Sequence, residues 1–402
     1  MSRLKFAGAD YAGALGFFVY ASSVVVTPIV LLRLGEDLAF GLAEGGGIEA
    51  VRAFFLLAIL IASGAAAARW GKIPTLAVGG LVLAVGLFAY AAAPSYAIVL
   101  AAVVLVGLGG GILEALINPL IQDAHPDDSG RYLNVVNAFF SVGVLVSVVV
   151  VGDLLTRGVS WRVLVAGVGV LAVGTAALFG FASRRDRPNR RTAAVDESGA
   201  GFLRSAARIV REPLFWIYSV AMFCGGGAEG AFTFWSASYI QIHFDAVARA
   251  GAIGTAAFAA GMVVGRIGFG RLVRQGGLQT LIIASALAGV VLSLIAYRVD
   301  GMGALYAVLF AAGVSIACFW PSIQSHAATR VPHDSTTLFV LLSCAGIPGF
   351  GLTSWAMGLI AERAGLRASL LVIPALLMVL AVAMVAGSRI GSRPGGRESA
   401  TR

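Results

Sequence analysis

Long apolar runs broken by short polar interruptions fill the chain from one end to the other. Val24–Leu32, Ala53–Ala68, Thr75–Ala93 and Ala97–Leu108 are the first four. With its flanks, each run reaches the ~20 residues a helix needs to cross a hydrocarbon core of about 30 Å. The pattern predicts twelve spans. Six cover 11–32, 47–68, 75–93, 97–121, 133–155 and 161–182, and six cover 214–240, 249–268, 278–297, 301–326, 336–360 and 367–389. Strands of a membrane barrel would alternate apolar and polar residues over about ten positions. Unbroken runs predict helices instead, and so an all-α, multi-pass membrane protein.

Composition agrees with that class. Of 402 residues, 59% are hydrophobic and 12% charged, against about 25% charged in a soluble domain. The net charge of +9 would suit nucleic acid only if it were clustered on one soluble face. It follows the spans instead. Of the 29 Lys and Arg, eight fall in one set of alternating segments: Arg33, Arg52, Arg157, Arg162, Arg249, Arg298, Arg363 and Arg367. The remaining 21 fall in the other set, with the N-terminus, the C-terminus and the central basic segment. This imbalance is the positive-inside rule, so both termini are expected in the cytoplasm and the chain in the cytoplasmic membrane. The N-terminal apolar stretch is too long for a cleaved signal peptide, and no clear small-residue cleavage site follows it. Cys224, Cys318 and Cys344 lie inside spans without metal-ligand spacing, and read as packing.

Residues 183–213 interrupt the apolar pattern with Arg184–Arg191 (RRDRPNRR) and an amphipathic piece around Phe202–Val210. The expected division is a six-helix bundle over 1–182, a cytoplasmic linker over 183–213 whose second part suits a membrane surface, a second six-helix bundle over 214–389, and a cytoplasmic tail over 390–402. The halves repeat in sequence. Gly111, Ala115, Pro119, Ile121 and Gln122 match Gly313, Ala317, Pro321, Ile323 and Gln324 at an offset of 202, and Pro126–Ser129 matches Pro332–Ser335 at 206. Two parallel repeats of six spans predict pseudo-symmetric bundles with a solute site between them at mid-membrane.

Gly64, Arg69, Gly71 and Lys72 resemble the loop motif between spans 2 and 3 of the major facilitator superfamily, with Ala68 where that motif has an acid. Gly265–Arg274, carrying Arg266 and Arg271, resembles its counterpart after span 8, and Trp161-Arg162 resembles its start of span 6. The resemblance implies the major facilitator fold and gating roles for Arg69, Lys72, Arg266 and Arg271. Within the superfamily, Glu114–Pro119 (EALINP), Ser129–Gly143 and the set Gly227, Ala228, Glu229, Trp235 and Tyr239 are most similar to the fucose/glucose/galactose:proton symporters. That similarity implies alternating-access transport of a sugar or sugar-like solute with a proton. Those symporters can carry an acid in span 1, near where Thr27 and Pro28 stand here.

Glu114 lies mid-span, where a charged group costs several kcal/mol on insertion scales unless it faces a bundle interior or water. Gly107, Gly111, Glu114, Asn118 and Gln122 share one helical stripe, which suits a cavity wall where Glu114 binds a polar solute, takes a proton, or does both. A structural Glu bonded to a neighbouring helix is the plain alternative. Glu229 is the second mid-span acid and is expected to supply what span 1 lacks, with helix packing as its alternative. Asn134, Asn137 and Ser141 share a face of span 5, and Trp320 and Gln324 a face of span 10; Trp235 lies in span 7. Amides bond hydroxyls as donor and acceptor, and indole rings suit sugar faces. The expected solute contacts are Glu114, Asn118, Asn137, Glu229, Trp235, Trp320 and Gln324, with Glu114 and Glu229 carrying the proton.

Glu49 and Arg52, one turn apart, are expected as a self-neutralising pair at the membrane interface; an anion anchor in the cavity is the lesser alternative. His243 and His326 are expected at solvent edges. Gly251, Gly254, Ala257, Gly261 and Gly265 form a small-residue stripe, expected as close packing and as a sliding surface. Pro348 between two glycines is expected to loosen span 11. No nucleotide-binding, metal or hydrolase motif stands out, so no cofactor, no enzymatic activity and no nucleic-acid partner are expected. The expected partners are a small solute, a proton and the lipid bilayer, with the protein a monomer. An exporter of cationic or amphipathic compounds is the alternative, and a non-transporting membrane sensor a more distant one.

Overall fold

The computed structural model describes residues 6–125, 129–185, 198–272, 275–331 and 335–390. Every regular element among them is helical. The first half contains α1 (Gly8–Leu38), α2 (Leu42–Trp70), α3 (Lys72–Ala92), α4 (Tyr96–Ala124), α5 (Ser129–Thr156) and α6 (Trp161–Arg185). The short α7 (Ser198–Ile209) follows. The second half contains α8 (Pro213–His243), α9 (Ala248–Leu272), α10 (Leu278–Arg298), α11 (Met302–Ile316), α12 (Phe319–Arg330), α13 (Ser335–Ala364), α14 (Leu366–Ser369) and α15 (Val372–Ile390). α11 with α12, and α14 with α15, each make one crossing, so twelve spans result. Ten crossings are apolar and long enough by composition, with mean hydropathy from 1.5 to 2.7. α2 and α8 complete the set at 29 and 31 residues.

Local chemistry explains where the helices break and where they continue. The matched motifs around Pro119 and Pro321 behave differently. α4 runs straight through Pro119, whereas the other crossing breaks at Ala317-Cys318, just before Pro321, where the missing proline N–H removes a rung. α13 continues through Pro348. Its flanking glycines allow close approaches: a Cβ at Gly349 would collide with the Phe223 backbone and one at Gly346 with the Trp320 ring. The expected loosening of span 11 is therefore replaced by tight packing at this point.

The buried side chains form two cores. One is built almost wholly from α1–α6 and centres on Leu76, Leu83, Leu113 and Ile117. The other is built from the later helices around Trp235, Ile282, Leu342 and Leu377. Ile209 at the end of α7 is fully buried in the second core, with Arg204 and Arg208 exposed. Residues 186–197 of the expected linker and 391–402 of the expected tail lie outside the described residues.

The crossings define a linker face, carrying α7, and a far face, carrying the turns at Ala39–Gly41, Phe244–Val247 and Gly365. The bundles meet through α2 against α13 and α5 against α9. Among the described residues, these contacts lie toward the far face. Gly46 sits against the Ser354–Trp355 backbone, Gly351 against Ala50 and Ala53, Gly358 against Leu42 and Ala43, and Gly152 against Ala252 and Arg249. Toward the linker face, Gly64 of α2 has no neighbour within 4 Å of where a Cβ would stand. Among the described residues, the close glycine contacts between the bundles lie at the far face.

Candidate functional site

A charged cluster occupies the middle of the first bundle. Arg52 donates from Nε to Glu49 Oε2 at 2.8 Å and from Nη2 to Oε1, a two-pronged grip within α2. Glu49 is 1% exposed and Arg52 8%. The sequence predicts this pair but sets it at the interface. The structure buries it, because α1, α4 and α13 cover that face of α2. Tyr20 of α1 lies close to the same guanidinium. Glu114 of α4 lies within electrostatic reach of both Tyr20 and Arg52. No hydrogen bond or ion pair to its half-buried carboxylate is found among the described residues.

One turn beyond Glu114, the two predicted amides meet. Asn137 donates from Nδ2 to Asn118 Oδ1 at 2.7 Å and to the Leu133 carbonyl at 2.8 Å. This leaves the Asn118 amide hydrogens and the Asn137 carbonyl unengaged among the described residues. The side chain of Asn134 lies outside the described residues. Gly107 and Gly111, expected on the cavity wall above Glu114, instead face α2. A Cβ at Gly107 would meet the Arg52 carbonyl at 2.6 Å, and one at Gly111 the Leu56 carbonyl at 2.9 Å. Their smallness serves helix contact. Gly110, one residue along, receives the Tyr20 ring.

The second bundle presents another carboxylate. Glu229 of α8 faces Arg266 of α9, whose Nη2 stands 3.5 Å from Glu229 Oε1, with side-chain exposures of 26% and 40%. Two residues expected in different roles, proton carrier and gate, are thus partners. Trp235 is fully buried and donates its indole N–H to the Ser354 carbonyl at 3.0 Å. In this arrangement it offers no ring face to a solute, which corrects its expected role. Trp320 is half-buried with its ring over Gly346. Gln324 donates to Ser343 Oγ at 3.1 Å and to the Phe339 carbonyl at 3.3 Å, tying α12 to α13.

The sequence of residues 12–337 matches the family described as Major Facilitator Superfamily. The chain belongs to that superfamily. Membrane protein MosC of Rhizobium meliloti is 26% identical over 297 residues, spanning 73% of this chain and 69% of that protein. Solved structures share the fold at low identity. A bacterial homologue of the human lysosomal transporter Spinster, inward-facing and unoccupied, superimposes with a TM-score of 0.76 at 15% identity, covering 95% of this chain and 96% of the other. The nucleoside transporter NupG gives 0.76 at 13% identity, covering 95% and 98%. The transporter FucP in the outward conformation gives 0.66 at 19% identity, covering 96% and 98%.

This facilitator is a multi-pass membrane transporter, and superfamily members bind small solutes within the membrane. Its loop residues sit differently from the motif-based expectation. Lys72 pairs with Asp123 at the end of α4, at 2.5 Å, and donates to the Pro119 carbonyl at 3.3 Å. Lys72 thus takes its acidic partner from another helix of the same bundle. Arg69 is exposed, and the side chain of Arg271 lies outside the described residues. Thr27, where the symporters can carry an acid, is buried and receives the Tyr90 hydroxyl at 3.3 Å. The stripe on α9 packs inside its own bundle: a Cβ would collide with Ala237 from Gly251, with Phe310 from Gly261 and with Val314 from Gly265. It does not lie between the bundles, so it is no sliding surface. His326 packs edge-on to Tyr218 and His243 stacks on Tyr239, both more enclosed than expected. Sequence reasoning missed Tyr20, Asp123 and the buried Asp10, whose carboxylate lies 2.9 Å from His125 Nε2. Asp10 opening a helix and Asp123 closing one were the available signals.

Proposed function

We propose that this facilitator moves a small polar solute, a sugar or sugar-like compound, by alternating access, with Glu114 carrying the coupled proton. The observation that supports this most is the division of charge around Arg52. Its guanidinium hydrogen-bonds Glu49, while Glu114 has no hydrogen bond or ion pair among the described residues; acids of that kind inside the membrane mark solute or proton paths. Asn118 and Asn137 beside it retain one donor group and one acceptor for hydroxyls. Glu229, 3.5 Å from Arg266, is read as the second carboxylate on the path, with Trp320 and Gln324 as further solute contacts of the second bundle. The EALINP motif is similar to that of the fucose/glucose/galactose:proton symporters, and FucP shares the fold. The excess of basic residues on the linker face supports a cytoplasmic linker and termini in the cytoplasmic membrane. On that orientation the contacts between the bundles lie on the outer side, which suits an inward-facing state. We read the protein as a monomer.

An unpaired carboxylate also favours a second reading, export of a cationic compound that neutralises Glu114 directly. Purified protein in proteoliposomes separates the two. With an imposed pH gradient, neutral monosaccharides and polyols are expected to enter uphill when the gradient drives protons in the same direction. Stabilisation by lipophilic cations alone, with no sugar-dependent proton movement, supports the export reading instead.

A further inference from the structure

Two contacts across the closed far face share one design. At the first, the Glu362 carboxylate at the end of α13 accepts a hydrogen bond from Ala43 N–H, the second residue of α2, at 2.9 Å. At the second, Thr156 Oγ1 at the end of α5 accepts one from Arg249 N–H, the second residue of α9, at 2.8 Å. A helix start leaves its first N–H groups unpaired, and a capping side chain accepts from the second or third of them. Gly41 and Val247, which precede these helices, have no side-chain acceptor. The missing cap comes in each case from the opposite bundle.

The two contacts are equivalents in the repeat. Ala43 and Arg249, Thr156 and Glu362, and Gly152 and Gly358 are each separated by 206 positions, the offset of the Pro-Asp-Ser match. Each capping residue lies four positions beyond a glycine that lets the bundles touch, Gly358 against Leu42 and Ala43, and Gly152 against Ala252. A glycine contact and a cap one turn later thus recur on both sides of the pseudo-two-fold axis. The neutral Thr156 cap is joined by an ion pair, Arg249 to Asp153 at 3.3 Å. The Glu362 cap is itself charged, and charge-assisted hydrogen bonds are the stronger kind.

We propose that Thr156 and Glu362 are paired locks that hold the far face shut by capping helices of the opposite bundle, and that both release when the transporter opens there. Opening uncovers both helix starts together, so the two caps bias one equilibrium rather than two. Neither residue touches the Glu114 cluster, so the locks stand or fall independently of which solute or proton the site takes.

Spin labels at Ser95 and Gly301, exposed on the far face of the two bundles, read the opening by electron–electron distance in a variant whose three cysteines are replaced. Thr156→Val and Glu362→Leu, which remove the acceptors, are each expected to raise the open-to-closed ratio about fivefold, and the double variant by about the product. Thr156→Ser keeps the acceptor and the original distribution. Glu44→Gln is the control: Glu44 Oε2 accepts from Gly41 N–H at its own helix start, with no other side-chain partner among the described residues, and the ratio stays unchanged. Unchanged distances in the double variant would overturn the proposal. So would an equal shift from Glu44→Gln, or a Thr156→Ser variant that opens as far as Thr156→Val. Monodisperse elution of every variant shows that the distances report folded protein.

Discussion

Arg52 holds Glu49 with two hydrogen bonds inside α2, and Glu114 of α4 lies within electrostatic reach of the same guanidinium. A guanidinium carries five N–H donors, and Glu49 takes two of them, on Nε and Nη2. No hydrogen bond from the remaining donors to the Glu114 carboxylate is found among the described residues, and the proposed function rests on that difference between the two acids. If Arg52 instead gripped Glu114, the middle of the first bundle would be electrically closed.

Removing one member of the buried pair strands the other. Glu49→Gln is expected to destabilise the protein by about 3–5 kcal/mol. The double variant Glu49→Gln/Arg52→Gln loses much less, because no uncompensated charge remains. Thermal unfolding in detergent, followed by thiol accessibility of the buried Cys224 and Cys318, measures both. A double variant no more stable than the single one contradicts the pairing.

The glycines of α4 and α2 separate packing from open space. Gly111→Leu drives a side chain into the Leu56 backbone and is expected to cost about 1–3 kcal/mol or prevent folding. Gly64→Leu, with nothing nearby, is tolerated. Comparative yield and melting temperature check the contrast.

Asn118 and Asn137 are expected to couple. Their double-mutant cycle with alanine should give about 0.6 kcal/mol, rising to about 1.7 at most, the range for side-chain hydrogen bonds between membrane helices. Additive losses would show that the two amides act separately.

The Lys72–Asp123 pair is largely exposed, at 31% and 63% of the side chains. Asp123→Asn is therefore expected to change stability by less than about 1 kcal/mol. The Lys72→Asp/Asp123→Lys exchange should keep whatever transport-rate effect the pair has, because it ties α3 to α4 within one bundle. Rates measured in vesicles at low and high salt test this.

What the sequence revealed follows from the range of each interaction. Spans were legible because a bilayer demands long apolar runs, although α1 extends beyond its expected 11–32 to Gly8–Leu38, carrying Arg33 and Glu36 into an exposed pair. Glu49–Arg52 was legible because the residues are one turn apart. Its burial was not, since that depends on helices far away in the chain. The cap from Glu362 to Ala43 joins residues 319 positions apart, and no local periodicity carries such a contact. The glycine stripes on α4 and α9 were visible as stripes, yet small residues look alike whether they face a cavity, a sister helix or the other bundle. Trp235 was misplaced for the same reason: an aromatic at mid-span suits a core as well as a binding surface.

Protonation of Glu114 is the direct test of the proposed coupling. Infrared difference spectra of the reconstituted protein, recorded across a pH titration with and without the best-stabilising sugar, report each carboxyl group that changes state. A protonated-carboxyl band that responds to the sugar and disappears in Glu114→Gln, while a Glu229→Gln spectrum retains it, is the predicted result. A sugar-responsive band that persists unchanged in Glu114→Gln contradicts the assignment of the coupling proton to this residue.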